Sequence, residues 1–199
     1  MNKDKLLTGL LVLGLAACNP ERVQYTSELK QEMADMKIKK ISNADLIETI
    51  NTAGEKISTV MQEELTAALK QTTDPAQRAL LCQLQNLPKT KAVAERYKLD
   101  IDLLGAADIK NKALKPKEQQ ILDAYLYNAE QKLPQTANIQ QIDDTLFVYN
   151  QTVPTENPIC EVCFGNQKTP LAVWRLAFHK REVIRHMNAS KKKKQSVQK

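Results

Sequence analysis

The sequence is poor in the residues that most simple functional readings need. It has five glycines, three phenylalanines and one tryptophan in 199 residues, too few for a glycine-rich linker protein or a β-solenoid. Two histidines leave no paired-histidine metal site, and neither a glycine-rich phosphate loop nor a hydrolase nucleophile motif is present. The carboxylates fall on helix faces at solvated spacing. No enzyme class is indicated, and the expectation is a non-enzymatic protein. Long hydrophobic runs are also missing. The longest mostly apolar stretch, residues 6–17, is twelve residues, against the roughly 20 a transmembrane helix requires.

That stretch is informative because of its flanks. Lys3 and Lys5 precede it, and Leu15-Ala16-Ala17-Cys18 closes it. A positive start, a short apolar region and small residues before a cut site predict an export signal over residues 1–17. The four closing residues resemble the bacterial lipoprotein box, in which the cysteine becomes the acylated N-terminus. That resemblance implies lipidation of Cys18 by palmitate-type chains and a membrane partner through them, since stable anchoring takes more than one chain. Asn19 stands where such sorting signals use aspartate for inner-membrane retention. Outer-membrane anchoring facing the periplasm is therefore expected.

Export decides how the other cysteines read. Cys82, Cys160 and Cys163 remain, an odd number. In an oxidising compartment the closely spaced pair of Cys160-Glu161-Val162-Cys163 should form a disulfide unless a cofactor takes it, leaving Cys82 as a buried thiol. The net charge of +6 is a C-terminal property: from Arg175 to Lys199 nine basic residues face the single acid Glu182. Residues 188–199 read as a disordered basic tail, solvated or facing anionic lipid headgroups; nucleic acid is not expected in an exported protein.

Between the ends, residues 18–42 read as a tether and 43–187 as one domain. Ser42 and Asp45 predict an N-cap, and apolar residues from Leu46 to Leu69 recur at helical spacing, predicting one helix over about 43–70. Asp74-Pro75 starts a second helix carrying Cys82, Pro88 interrupts it, and a further helical stretch runs through Tyr97. Residues 99–115 look irregular, and Lys115-Pro116 begins a helix ending before Pro134. Two strands are predicted, 146–150 and 171 to about 180. In the second, Trp174, Leu176 and Phe178 share the core face, while Arg175 and His179 share the other. On this argument His179 points outward, and His186 near the tail is also a surface residue. The fold class is α+β, with long N-terminal helices packed on a small antiparallel sheet.

The segment Pro158 to Gly165 is the chemically loaded one. A C-x-x-C-H sequence attaches c-type haem, but here Phe164 occupies the histidine position. Zinc held by Cys160, Cys163, His179 and His186 has the wrong histidine spacing. A thioredoxin-like dithiol should open a helix, whereas Phe164-Gly165-Asn166 is turn sequence. The order of features resembles a family of exported PAS-like c-type haem domains of bacterial lipoproteins and sensors. Those domains have a helix with a cysteine, an Asn-containing basic segment (here 108–113), a helix, a strand, a proline, C-x-x-C and a closing strand. The similarity covers about residues 45–182. It implies a PAS-like fold and assigns Cys160 and Cys163 as haem attachment thiols and Cys82 as an axial ligand. With Phe164 unable to ligate iron, the resemblance implies a binding or sensing module on a haem scaffold. The alternative it implies is a c-type haem protein with an unusual ligand.

Overall fold

The computed structural model describes Thr26 and residues 41–197, with side chains to Ala189. The signal segment 1–17, Cys18 and nearly all of the 18–42 tether lie outside the described residues.

Helix α1 (Asn43–Gln71) starts where predicted. The Ser42 hydroxyl accepts from the Asp45 backbone N–H at 3.1 Å, and the Asp45 carboxylate accepts from the Ser42 N–H at 2.9 Å. This reciprocal box satisfies two otherwise orphaned donors. Leu46, Ile50, Ile57, Met61, Leu65 and Leu69 form its buried stripe, while Ile47 and Val60 face outward. Gly54 belongs to that stripe because the Tyr149 ring lies across it. A Cβ there would sit 2.6 Å from the ring. Gly54→Ala should therefore lower stability by about 1–3 kcal/mol, despite the better helix propensity of alanine. Urea unfolding of the variant reads this directly; unchanged stability would mean that Tyr149 does not hold its place.

Asp74 caps α2 (Pro75–Cys82), and Pro88 begins α3 (Pro88–Tyr97). The residue before α3, Leu87, has no capping side chain. Glu64 of α1 supplies the cap instead: its carboxylate accepts from the Lys89 and Thr90 N–H groups, both at 2.7 Å, and from the Thr90 hydroxyl at 2.8 Å. A carboxylate at a helix N-terminus also meets the positive end of the dipole.

Strand β1 (Asp100–Leu104) and a 3₁₀ turn (Ala106–Lys110) occupy the stretch that looked irregular. Then come α4 (Pro116–Glu130), β2 (Asn138–Gln141) and β3 (Leu146–Thr152). Helix α5 (Pro158–Phe164), β4 (Val173–His179) and α6 (Lys180–Val197) complete the fold. The backbone of α6 is helical through Val197, which corrects the expectation of a disordered tail from residue 188. The sheet has the order β1-β4-β3-β2, antiparallel throughout. The protein is α+β, and the described chain from Ile41 is one compact unit.

The sheet has two covered faces. Phe147, Tyr149, Trp174, Leu176 and Phe178 join the stripe of α1 in the main core. On the reverse, Leu104, Leu171 and Val173 pack with Leu122 and Tyr125 of α4 in a smaller cluster. No described helix is long and apolar enough to cross a membrane.

Candidate functional site

The proline-containing C-x-x-C segment is a short helix rather than a loop, and the expected turn follows it at Gly165-Asn166. Asn157 caps it, accepting from the Ile159 N–H at 3.0 Å, and Pro158 takes the first helical position, where its missing N–H costs nothing. The Asn157 side-chain oxygen also accepts from the Thr66 hydroxyl at 3.1 Å, tying α5 to α1.

Helical placement changes the cysteine pairing. Cys163 is bonded to Cys82, with a Cα–Cα separation of 5.5 Å, and Cys160 is the free thiol among the described residues. The expected Cys160–Cys163 disulfide with a leftover Cys82 is therefore corrected. Cys163 projects from α5 toward α2, whereas Cys160 turns into the core, 1% exposed. Its sulfur lies 3.4 Å from the Pro154 carbonyl and 3.8 Å from that of Val153. Burial pushes the Cys160 thiol up to about 11, so at neutral pH it stays protonated and a poor nucleophile.

The disulfide forms part of the wall of a cleft of about 830 Å³ between α2, β1 and α5, with Arg78, Ala79, Leu103, Glu161 and Phe164 around it. Both bonded cysteines are half-buried. The Phe164 ring crosses Gly105 so closely that a Cβ on that glycine would lie 2.4 Å from it.

These residues do not fit a covalently attached haem. Attachment needs two thiols facing one cavity, but the Cys163 sulfur is bonded to Cys82 and the Cys160 sulfur faces two backbone carbonyls. Cys82, the implied iron ligand, has no free sulfur, and Phe164 offers no donor atom. Among the described residues no group of three His, Cys, Asp or Glu side chains could hold a metal ion. Neither histidine lines the cleft. His179 leaves the sheet beside Asp100 at 3.4 Å and is exposed, as expected. His186 is half-buried, its ring 4.9 Å from that of Tyr97, rather than on the surface.

A second polar centre has no counterpart in the sequence reading. On the reverse face of the sheet, Asp102, Arg175, Asn150 and Asn138 are aligned in register across all four strands. Arg175 Nη1 donates to Asp102 and Nε to Glu118 of α4, each at 2.7 Å. The second oxygen of Glu118 accepts from the Lys115 N–H at 2.9 Å, so this buried carboxylate is fully partnered. Burial alone would lower the Arg175 pKa, but hydrogen bonds and charge from Glu118 and Asp102 outweigh it and raise the value. The centre fastens α4 to the sheet. Glu118 looked like a solvated helix carboxylate; only the strand register could reveal its partner.

No protein-family model matches the chain, and no characterised protein or solved structure is significantly similar to it.

Proposed function

We propose that this protein is an exported, lipid-anchored envelope protein whose domain is a non-enzymatic binding or sensing module on a PAS-like scaffold related to exported haem domains. In it, haem chemistry has given way to a disulfide clamp. The observation that carries this reading is the Cys82–Cys163 bond. The resemblance sets the helix cysteine and the C-x-x-C segment on opposite sides of one haem, and here the same two segments are joined sulfur to sulfur. Loss of the histidine at Phe164 removes the other ligand. A disulfide is also the state expected of exported cysteines. Residues 1–17 direct export, acyl chains on Cys18 form the anchor, and Asn19 favours the periplasmic face of the outer membrane. The cleft beside the clamp is the natural seat for a ligand, being lined by Cys82, Cys163 and Phe164, residues that depart from the haem pattern.

The test is to express the full chain in a bacterium that processes lipoproteins, with a labelled fatty acid in the medium. Wild type should carry the label, partition with the outer membrane and show neither a haem-stained band nor a Soret peak. Cys18→Ala should lose the label and the membrane association. Identical partitioning of the two forms would refute the anchor, and a haem-stained band with a Soret peak would refute the clamp.

A further inference from the structure

We propose that Cys163 is shared between two sulfur partners: the Cys82–Cys163 bond exchanges with Cys160, releasing α2 and opening the cleft. This goes beyond the reading of the module as a scaffold, and it rests only on the three cysteines and what surrounds them.

The geometry supplies each component of such an exchange. Cys160 and Cys163 are three residues apart on α5. Positions so spaced on a helix have Cβ atoms about 5–6 Å apart. A small adjustment of the short helix then brings the pair within the roughly 3.5–4.5 Å Cβ separation of a disulfide. Cys163 already faces the cleft wall, and Cys160 is the single thiol not in a bond among the described residues. The alternative pairing therefore needs no fourth cysteine.

The clamped element is weakly held by anything else. Leu81 is the only buried residue of α2. Just beyond it, Leu84 and Asn86 both adopt a left-handed backbone, φ 59°. For leucine that conformation is unfavourable, and it persists only while the surroundings impose it. Once the clamp opens, the connection to α3 can relax to ordinary values. Helix α3 keeps its place meanwhile, because its start is pinned to Glu64 of α1. Release is thus confined to residues 72–86, which include one wall of the cleft, while Leu87 stays in the core.

The chemistry balances within one chain. Cys160 gives up its proton, and its thiolate attacks the Cys163 sulfur. The Cys160–Cys163 bond forms as the Cys82–Cys163 bond breaks, and Cys82 leaves as a thiolate that takes up a proton. Two sulfurs are oxidised and one is reduced before and after, so no oxidant or reductant is consumed. Burial of Cys160 keeps the clamped form at rest, since a protonated thiol does not attack. Loosening of α5, by thermal opening or by a ligand entering the cleft, starts the exchange.

The experiment uses the purified full chain in detergent at neutral pH, without reductant, incubated with N-ethylmaleimide, quenched in acid and peptide-mapped. Wild type should accumulate the adduct on Cys82 together with a Cys160–Cys163 disulfide, at a rate independent of protein concentration. Cys160→Ser and Cys160→Ala should retain the Cys82–Cys163 bond and give at least about tenfold less adduct on Cys82, because the attacking sulfur is gone. Circular dichroism verifies that each variant is folded; should neither fold, the wild-type map decides alone. An adduct on Cys160 with the clamp intact would overturn the proposal. So would no adduct on either residue, or equal Cys82 labelling with and without Cys160. The peptide containing Cys18 reads lipidation separately, so failure of the anchor and failure of the exchange are told apart.

Discussion

Breaking the Cys82–Cys163 bond should lower the stability of the domain by about 4 kcal/mol, because the bond closes a loop spanning 81 residues. For a domain of this size that corresponds to a fall in Tm of about 8–16 °C. Thermal unfolding with and without a phosphine reductant measures it, and Cys82→Ala/Cys163→Ala gives the same comparison without reductant. The magnitude separates the two pairings. A bond between Cys160 and Cys163 would close a loop of a few residues and contribute only about 2 kcal/mol. A shift under about 5 °C on reduction therefore argues for the short pairing. The Cys160→Ser protein should lose the full amount on reduction, since its only disulfide is the long one.

Arg175→Met should be nearly as damaging, at about 3–5 kcal/mol, because it strands Glu118 as a buried, uncompensated carboxylate. The Arg175 side chain is 12% exposed and that of Glu118 5%, so water cannot replace the missing partner. Asp102, at 48%, is half in solvent, and Asp102→Asn should cost about 1 kcal/mol or less. The sign of the double replacement is informative. Arg175→Met combined with Glu118→Leu should recover most of the loss, since an apolar pair of similar volume often matches a buried ion pair. Urea unfolding of the two singles and the double forms the cycle that reads the coupling. If Arg175→Met alone is neutral, the ion pair does not fasten α4.

Most of the helical framework was legible because its signals are local. Ser42 with Asp45, Asp74 with Pro75, and Lys115 before Pro116 each mark a start within a few residues. The strands divided by the source of their pattern. Strand β4 shows its alternation openly, with Trp174, Leu176 and Phe178 on the core face. Strand β1 hides it behind Asp100 and Asp102, residues depleted in strands. Asp102 is tolerated because Arg175 lies opposite it on β4, 73 residues away. Strand β2, Asn-Ile-Gln-Gln, is a short edge with no apolar period.

The candidate site failed in the same way. Asn157-Pro158 has the cap-then-proline form of a helix start, a signal missed behind the turn sequence that follows at Gly165-Asn166. Once the segment is a helix, its two cysteines are aimed differently, one toward the core and one toward α2. Compartment arguments give the number of disulfides; the pairing depends on which helix face meets which neighbour. The partners of Glu64 and Arg175 were illegible for the same reason, being 25 or more residues distant.

The position of β4 in the sheet has a consequence for how the chain acquires its shape. β4 lies between β1 and β3 and is nearly the last element in the sequence. Until it emerges, β1 has no neighbour to pair with, and β2 and β3 form only a two-stranded ribbon, marginal in water. The central tryptophan, Trp174, arrives with it. A chain made or threaded from its N-terminus therefore cannot close its core until about residue 179 has appeared. The sheet order thus makes closure of the core a late event, whichever N-terminal elements have already formed.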